Sequence, residues 1–325
     1  MTKESKYLKK KIYVAGHAGM VGSAITYELQ KRGYKNLILK NYPELDLIRQ
    51  KDVEDFFKSE KPEVVIVAAA KVGGILANNT YRAEFIHENL MIESNIIHNS
   101  HKAGVEKLIF LGSSCIYPKL AQQPLKEEYL LSGYLEFTNE PYAIAKIAGI
   151  KLCENYFRQY CSNFYSVMPT NLYGPNDNFD LQTSHVLPAF IRKFHEATEK
   201  NEKEVVIWGT GKPLREFLYV EDLADAILFL MENVNAEDLY EKDLTHLNVG
   251  TGKDISIDGL ANMISEIVGY KGTINHDTSK PDGTPRKLLD VTRINSLGWK
   301  YKTELREGIG KTHDFFLKKF SQAYK

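Results

Sequence analysis

Two side chains in the stretch "EPYAIAKIAG" can share one reaction: Tyr142 and Lys146 are four residues apart, so a helix puts both on one face. An ammonium beside a phenol favours the phenolate and is expected to bring its pKa from about 10 towards neutrality, where it can exchange a proton with a carbonyl or an alcohol. A second stretch, "YVAGHAGMVGSAI", sets Gly16, Gly19 and Gly22 directly after a β-branched run and at the head of an amphipathic segment. Glycines there allow a tight turn and close backbone approach, and a helix N-terminus offers unpaired N–H groups to a pyrophosphate. A third stretch, "LGSSCIYP", ends an apolar run in Ser113, Ser114 and Cys115, which puts a thiol where a loop begins. A further candidate is His185 in "TSHVLPAFIRK", whose imidazole titrates near physiological pH and suits proton transfer in either direction.

Positioning these groups requires alternating strands and helices. Short apolar runs, "KIYVAG", "NLILK", "EVVIVAAA", "KLIFLGSS" and "FYSVMPTNLYG", recur between longer segments of helical period. Runs that are continuous rather than alternating predict a parallel sheet covered on both faces. After Pro175 the pattern changes to loops and isolated elements, with "GTG" twice and the turn-rich "SKPDGTPRK", which predicts a smaller, irregular second domain. The regular stretch "FLYVEDLADAILFLMEN" from Phe217 is expected to return to the first domain, with a binding cleft between the two outside the carboxyl ends of the strands.

Composition narrows the partners. The 325 residues carry 42 Lys plus Arg against 42 Asp plus Glu, so no basic excess is present to hold nucleic acid or an anionic membrane surface. The most apolar stretch, "VVIVAAA", is far shorter than the roughly 20 residues a membrane-spanning helix needs. Three cysteines, Cys115, Cys153 and Cys161, have no metal-ligand spacing, and the opening "MTKESKYLKK" is too polar for a signal peptide; both predict a cytoplasmic protein without a metal. Cys153 and Cys161 read as small buried apolar residues on the helix after Tyr142. The end of the second predicted strand, "LILKNYPELDL", has no acid to face an adenosine ribose, whereas Lys40 could face a 2'-phosphate, which favours NADP. Asp46 either meets the adenine or caps a turn.

Cradle, strand-end serine and Tyr-x-x-x-Lys occur here in the order found in extended short-chain dehydrogenase/reductases, and the chain resembles that superfamily. The resemblance makes Ser113, Tyr142 and Lys146 the hydride-transfer triad. Where sugar-nucleotide dehydratases of this architecture carry a glutamate that removes a proton beside a keto group, this chain has Cys115. A thiolate with a lowered pKa can do the same work. Inversion at carbon then needs an acid on the opposite face, for which His185 is the candidate.

Longer stretches, among them "AAAKVGGILANNT", "GSSCIYPKLA", "NEPYAIAKIAGIKLCE", "MPTNLYGPNDNF", "SHVLPAFIRKFHEA", "WGTGKPLREFL" and "SKPDGTPRKLLDVTR", are similar to the family of GDP-L-fucose synthases. Those enzymes are NADPH-dependent epimerase-reductases acting on GDP-4-keto-6-deoxy-D-mannose. The resemblance implies an α/β fold: a Rossmann-like doubly wound parallel sheet over residues 1–175, rejoined by about 217–250, with a smaller mixed α/β substrate domain over 176–325. It implies that NADP lies against Gly16, His17, Ala18, Gly19, Met20, Val21 and Gly22, then Lys40 and Asn41, and then Leu111, Gly112, Ser113 and Ser114. Tyr142, Lys146, Pro169, Thr170, Asn171, Leu172 and His185 complete the cofactor side. The GDP-sugar is assigned to Ser114, Cys115, Asn171, Lys193, Trp208, Arg215 and Asp282. Arg215 can clamp a diphosphate with two hydrogen bonds and Trp208 supplies a flat apolar wall.

Family members often carry arginine where this chain has Ala18 and Tyr42, so use of NAD as well as NADP is expected. Apolar stripes on residues 81–100 and 142–160, including Ile86, Leu90, Ile97, Ile144 and Ile147, correspond by the same resemblance to a four-helix homodimer interface. Another 4-epimerase or 4,6-dehydratase, or a non-catalytic dinucleotide sensor, is the rival reading; the acidic pair of a dehydratase is replaced here by Ser114 and Cys115.

Overall fold

The computed structural model describes residues 5–280 and 282–320. The first four residues of the polar opening, Pro281 in the turn-rich stretch and the last five residues of the C-terminal unit lie outside the described residues. β1 (Ile12–Ala15) turns through the glycines into α1 (Met20–Lys31), followed by β2 (Leu37–Ile38), α2 (Gln50–Glu60), β3 (Val64–Val67), a short α3 (Ile75–Thr80) and α4 (Arg82–Lys102). β4 (Lys107–Leu111), α5 (Glu140–Tyr160), β5 (Phe164–Pro169), β6 (Asn171–Tyr173) and α6 (Val186–Glu199) come next. The chain then runs through β7 (Glu204–Trp208), β8 (Leu214–Tyr219), α7 (Val220–Asn233), α8 (Ala236–Tyr240), β9 (Leu247–Val249), β10 (Asp254–Ser256) and α9 (Ile257–Val268). β11 (Thr273–Asp277), β12 (Arg286–Lys287), α10 (Thr292–Ser296) and α11 (Leu305–Phe320) end it.

Six strands form the main sheet in the order β2-β1-β3-β4-β5-β9, every pairing parallel. Burial on both faces explains why these strands read as unbroken apolar runs. Ile12 and Val14 point into the layer under α1 and α7, while Tyr13 and Ala15 point into the layer under α2, α4 and α5. The chain steps outward from β1 to β2 and then crosses back to β3 on the other side of β1. That reversal opens a crevice beyond the carboxyl ends of β1 and β3, where a parallel sheet of this kind receives its ligand.

α7 packs on the main sheet and β9 extends it beside β5. The run "FYSVMPTNLYG" is not one strand: β5 ends at Pro169, and β6 turns away to pair with β8. The switch at Thr170 is held because Thr170 N donates to Val249 O at 3.0 Å and Asn171 Nδ2 donates to Glu216 O at 2.7 Å. The region after Pro175 is also more regular than its sequence suggested. α6, α9 and α11 enclose a third apolar core around Phe190, Ile191, Phe194, Leu260 and Ile264. Among the described residues no helix is long and apolar enough to cross a membrane.

Candidate active site

The crevice begins at Gly16, whose φ of +82° is open to glycine and strained for other residues. A Cβ on it would lie 2.7 Å from the backbone of Ala69, just beyond β3, and one on Gly22 would lie 2.6 Å from Gly16 C and 2.7 Å from His17 Cα. β1, β3 and α1 can meet this closely because both positions are bare. Gly19 caps α1 without any side-chain hydrogen bond, and a Cβ there would meet only Gly16 O at 3.5 Å, so this side of the turn is open and the N–H groups of the first helical turn face it. His17 Nδ1 is buried with no partner. An open helix N-terminus beside an unpaired buried donor or acceptor fits a dinucleotide pyrophosphate.

The adenosine end is less committed than its sequence suggested. Lys40, read as facing a 2'-phosphate, pairs with Glu60 on α2 at 3.1 Å, and Tyr42 is exposed. Asp46 caps a turn: its Oδ1 accepts from Ile48 N at 3.0 Å and its other oxygen lies 3.4 Å from Arg49. Asn41 N donates to Glu44 at 2.9 Å.

β4 delivers the reacting groups. Leu111 is buried, Gly112 N donates to Val167 O at 2.9 Å, and Ser113 is extended before a single 3-10 turn, Ser114–Ile116. α5 starts with Pro141 in its first turn and brings Tyr142 and Lys146 up beside that turn. The Ser113 hydroxyl is a neighbour of both the Cys115 thiol and the Tyr142 phenol, and it opposes the effect of burial on each. Two expectations about acidity are corrected here. Burial pushes the Cys115 thiol up rather than down, against the opposing pull of Ser113, Lys287 and Lys146. Burial also pushes the Tyr142 phenol well above its ordinary value, with Cys115 and Glu93 adding to it. Lys146 does not reverse this, because its ammonium is already paired: Nζ lies 2.9 Å from the Glu93 carboxylate and 5.8 Å from the Tyr142 ring centre. In the free cleft Tyr142 is a protonated donor.

Further candidate residues come from the second half of the chain. His185 is the N-cap of α6. Water reaches it from the open cleft, yet protein surrounds it closely enough that lost solvation lowers its imidazole pKa, and Lys287 lowers it further. Lys287, on β12, also feels Cys115 and Arg215. One lysine therefore lies near the thiol, the imidazole and the arginine. Arg215 Nη1 donates to Leu214 O at 2.8 Å, and its carboxylate neighbour Asp282 is held by Thr210, which donates from N at 2.8 Å and from Oγ1 at 2.7 Å. Trp208 is 68% exposed at the end of β7, with Lys280 Nζ 5.7 Å from its ring centre, and Lys193 Nζ donates to Val206 O.

The structure thus gathers Ser113, Cys115, Tyr142 and Lys146 with His185 and Arg215 around Lys287, and groups Lys193, Trp208 and Asp282 about the end of β7. Pro169 to Leu172 form the β5-to-β6 switch. Cys153 is buried, its thiol pushed up to about 12, as a structural cysteine should be. Cys161 is exposed, contrary to its reading as buried, because the chain leaves α5 there at φ 56° in the left-handed region. Among the described residues no cluster of His, Cys, Asp and Glu could hold a metal.

Four participants were not singled out from the sequence. Lys287 and Thr210 sit in turn-rich segments with no motif of their own. Glu216, fully buried on β8, accepts from Thr251 N at 2.6 Å, Gly252 N at 2.8 Å and Leu289 N at 2.8 Å, and so ties the loops around Arg215 and Lys287 together. Glu93 did leave a signal: it is the one charged residue in the helical stretch "NLMIESNII".

Comparison with known proteins agrees with this geometry. The chain is 58% identical over 311 residues to GDP-L-fucose synthase of Escherichia coli (strain K12), covering 95% of this chain and 97% of that one. It is 57% identical to GDP-L-fucose synthase 1 of Arabidopsis thaliana, over 95% of this chain and 93% of the relative. Its structure matches that of GDP-mannoheptose C4 reductase from Campylobacter jejuni with NADP bound, with a TM-score of 0.88 and 46% identity over 95% of this chain and 98% of that one. Residues 12–250 match the profile of the NAD dependent epimerase/dehydratase family. The chain belongs to that family and, within it, to the group that contains the GDP-L-fucose synthases.

Proposed function

We propose that this chain is a GDP-L-fucose synthase, which inverts carbons 3 and 5 of GDP-4-keto-6-deoxy-D-mannose and then reduces carbon 4 with NADPH. The observation that carries the reading is the placing of Ser113, at the end of β4, beside both Cys115 and Tyr142, with the charge of Lys287 felt at both Cys115 and His185. One carbonyl oxygen at Ser113 then serves both reactions. A 4-keto group acidifies the hydrogens on carbons 3 and 5; Cys115 removes each, and His185 returns a proton to the other face. Developing charge on the oxygen is met by Ser113 and Tyr142. When bound, the nicotinamide supplies hydride to carbon 4. Tyr142 gives the oxygen its proton, and Lys146 holds the cofactor ribose and the charge behind the phenol.

The glycine turn from Gly16 to Gly22 would hold the pyrophosphate, Lys40 the 2'-phosphate once released from Glu60, and Pro169 to Leu172 the nicotinamide. Arg215 would take the GDP diphosphate, with Trp208, Lys193 and Asp282 around the nucleoside. In this reading residues 1–175 with 217–250 form the cofactor unit and the remainder of 176–325 the sugar-nucleotide unit. The exposed Ile144, with Ile86 and Leu90 half-buried beside it on α4, faces a second copy in a homodimer. Three free thiols suit the reducing cytoplasm.

Incubation with GDP-4-keto-6-deoxy-D-mannose and NADPH should give GDP-L-fucose, with one NADPH oxidised per sugar. Cys115→Ser should stop solvent deuterium from entering carbons 3 and 5, and Tyr142→Phe should allow that entry while blocking reduction. Each loss should be roughly 100- to 10,000-fold. A product reduced at carbon 4 with carbons 3 and 5 uninverted removes the epimerase half of the proposal.

A further inference from the structure

The geometry points to Glu93 as a positioning residue of the reductase site: it is the buried counter-ion that holds the Lys146 ammonium in place and in its charged form behind Tyr142. The inference rests on the functional reading above. Glu93 comes from α4 and is 1% exposed, as is Lys146, with Nζ and Oε1 at 2.9 Å. Among the described residues no other donor reaches either carboxylate oxygen. The surroundings are otherwise apolar or neutral: the Phe110 ring centre lies 4.6 Å from Nζ, and Cys153 and Ser166 stand near the pair. A charge in such a place is retained only with a partner.

Space for the pair comes from a missing side chain. Gly149, on the same face of α5 as Lys146, would with a Cβ come within 2.6 Å of the Phe110 ring and 2.9 Å of Glu93 Oε2. α4 and α5 can therefore approach until the carboxylate reaches the ammonium. On α5 the titratable groups facing Glu93 are Lys146, Tyr142 and Cys153. Tyr142 in turn faces Cys115, which faces Lys287. Burial raises the Glu93 carboxyl, and Lys146 opposes that rise.

Sign follows from charge. A negative group beside two coupled acids, an ammonium and a phenol, holds protons on both, so neutralising it lets the pair lose its proton at lower pH. The test titrates apo protein carrying 13Cε-labelled lysine, with the Lys146 signal identified by its loss in Lys146→Met. The native protein is compared with Glu93→Gln and with Glu93→Asp, whose shorter arm lengthens the pair and keeps the charge. The Lys146 signal should titrate about 1 to 3 pH units lower in Glu93→Gln and by less in Glu93→Asp. The alkaline limb of NADPH-dependent reduction should move the same way, while deuterium entry at carbons 3 and 5 falls by much less than reduction does. A Lys146 titration unmoved in a folded variant, reduction and exchange falling together, or failure of both variants to fold overturns the inference. A native chain that reduces no keto-sugar nucleotide while the Lys146 signal still shifts overturns the functional reading alone.

Discussion

Cys115 and His185 are pushed towards neutrality from opposite sides, the thiol upward by burial and the imidazole downward by burial and Lys287. A neutral thiol with a neutral imidazole has the same number of protons as a thiolate with an imidazolium, the pair needed for removing a proton on one face and returning one on the other. Exchange of solvent deuterium into carbons 3 and 5 should therefore be flat between the ordinary values of 6.5 for histidine and 9.0 for cysteine, falling only outside that window. A pH profile of exchange checks this; a steady climb through neutrality would assign the whole dependence to the thiol. Lys40 gives a second prediction at this scale. In the proposed reading Lys40, released from Glu60, answers the 2'-phosphate that no arginine at Ala18 or Tyr42 can meet. Lys40→Ala should lower kcat/KM for NADPH by about 10- to 150-fold, the size of one charge-assisted hydrogen bond, and leave kcat/KM for NADH unchanged.

The 3-10 turn that carries Cys115 is secured from behind by its next residues. Asn248 Nδ2 donates to Leu125 O at 2.9 Å and Asp290 O at 3.2 Å, which leaves its Oδ1 to accept from Tyr117 OH at 2.5 Å. The phenol has given its only proton, so it accepts from His246 Nε2 at 2.7 Å, and His246 Nδ1 accepts from Thr245 at 2.8 Å. His246 is wholly buried and neutral, its pKa lowered to about 3 by burial, with Lys151 and Arg293 adding. A folded value below the unfolded one means that this stabilisation is complete above about pH 6.5 and is lost as pH falls towards 3. Across that window the protein should lose several kcal/mol of stability, at about 1.4 kcal/mol per unit. Urea midpoints measured between pH 7 and 4 should fall more steeply for the native protein than for His246→Asn, which carries no titrating ring.

Across the whole molecule, α4 and α5 lie side by side on the main sheet, with Ile97 and Ile147 turned inward and Ile144 left 41% exposed. In the proposed homodimer, an outward isoleucine in the helix that holds Tyr142 and Lys146 would tie assembly to the active site. Ile144→Glu should shift the protein from dimer to monomer by sedimentation velocity, with the thermal midpoint reduced. A monomeric native chain, or a dimer indifferent to that substitution, would move the interface elsewhere.

The amino-acid sequence alone determined the local features: the glycine turn after β1, the helical spacing of Tyr142 and Lys146, the thiol after Ser114 and the unbroken apolar strands of a covered parallel sheet. Each is legible because its physics acts over a few residues, through backbone freedom, helix period or burial on both faces. What only the tertiary structure decided are relations between distant segments. Glu93 meets Lys146 across two helices, the charge of Lys287 on a two-residue strand is felt at Cys115 and His185, β6 leaves the main sheet for β8, and Lys40 is claimed by Glu60. The acidities of Cys115 and Tyr142 belong with these, because burial outweighs the neighbouring charges that the sequence shows, and burial is a property of the packed chain.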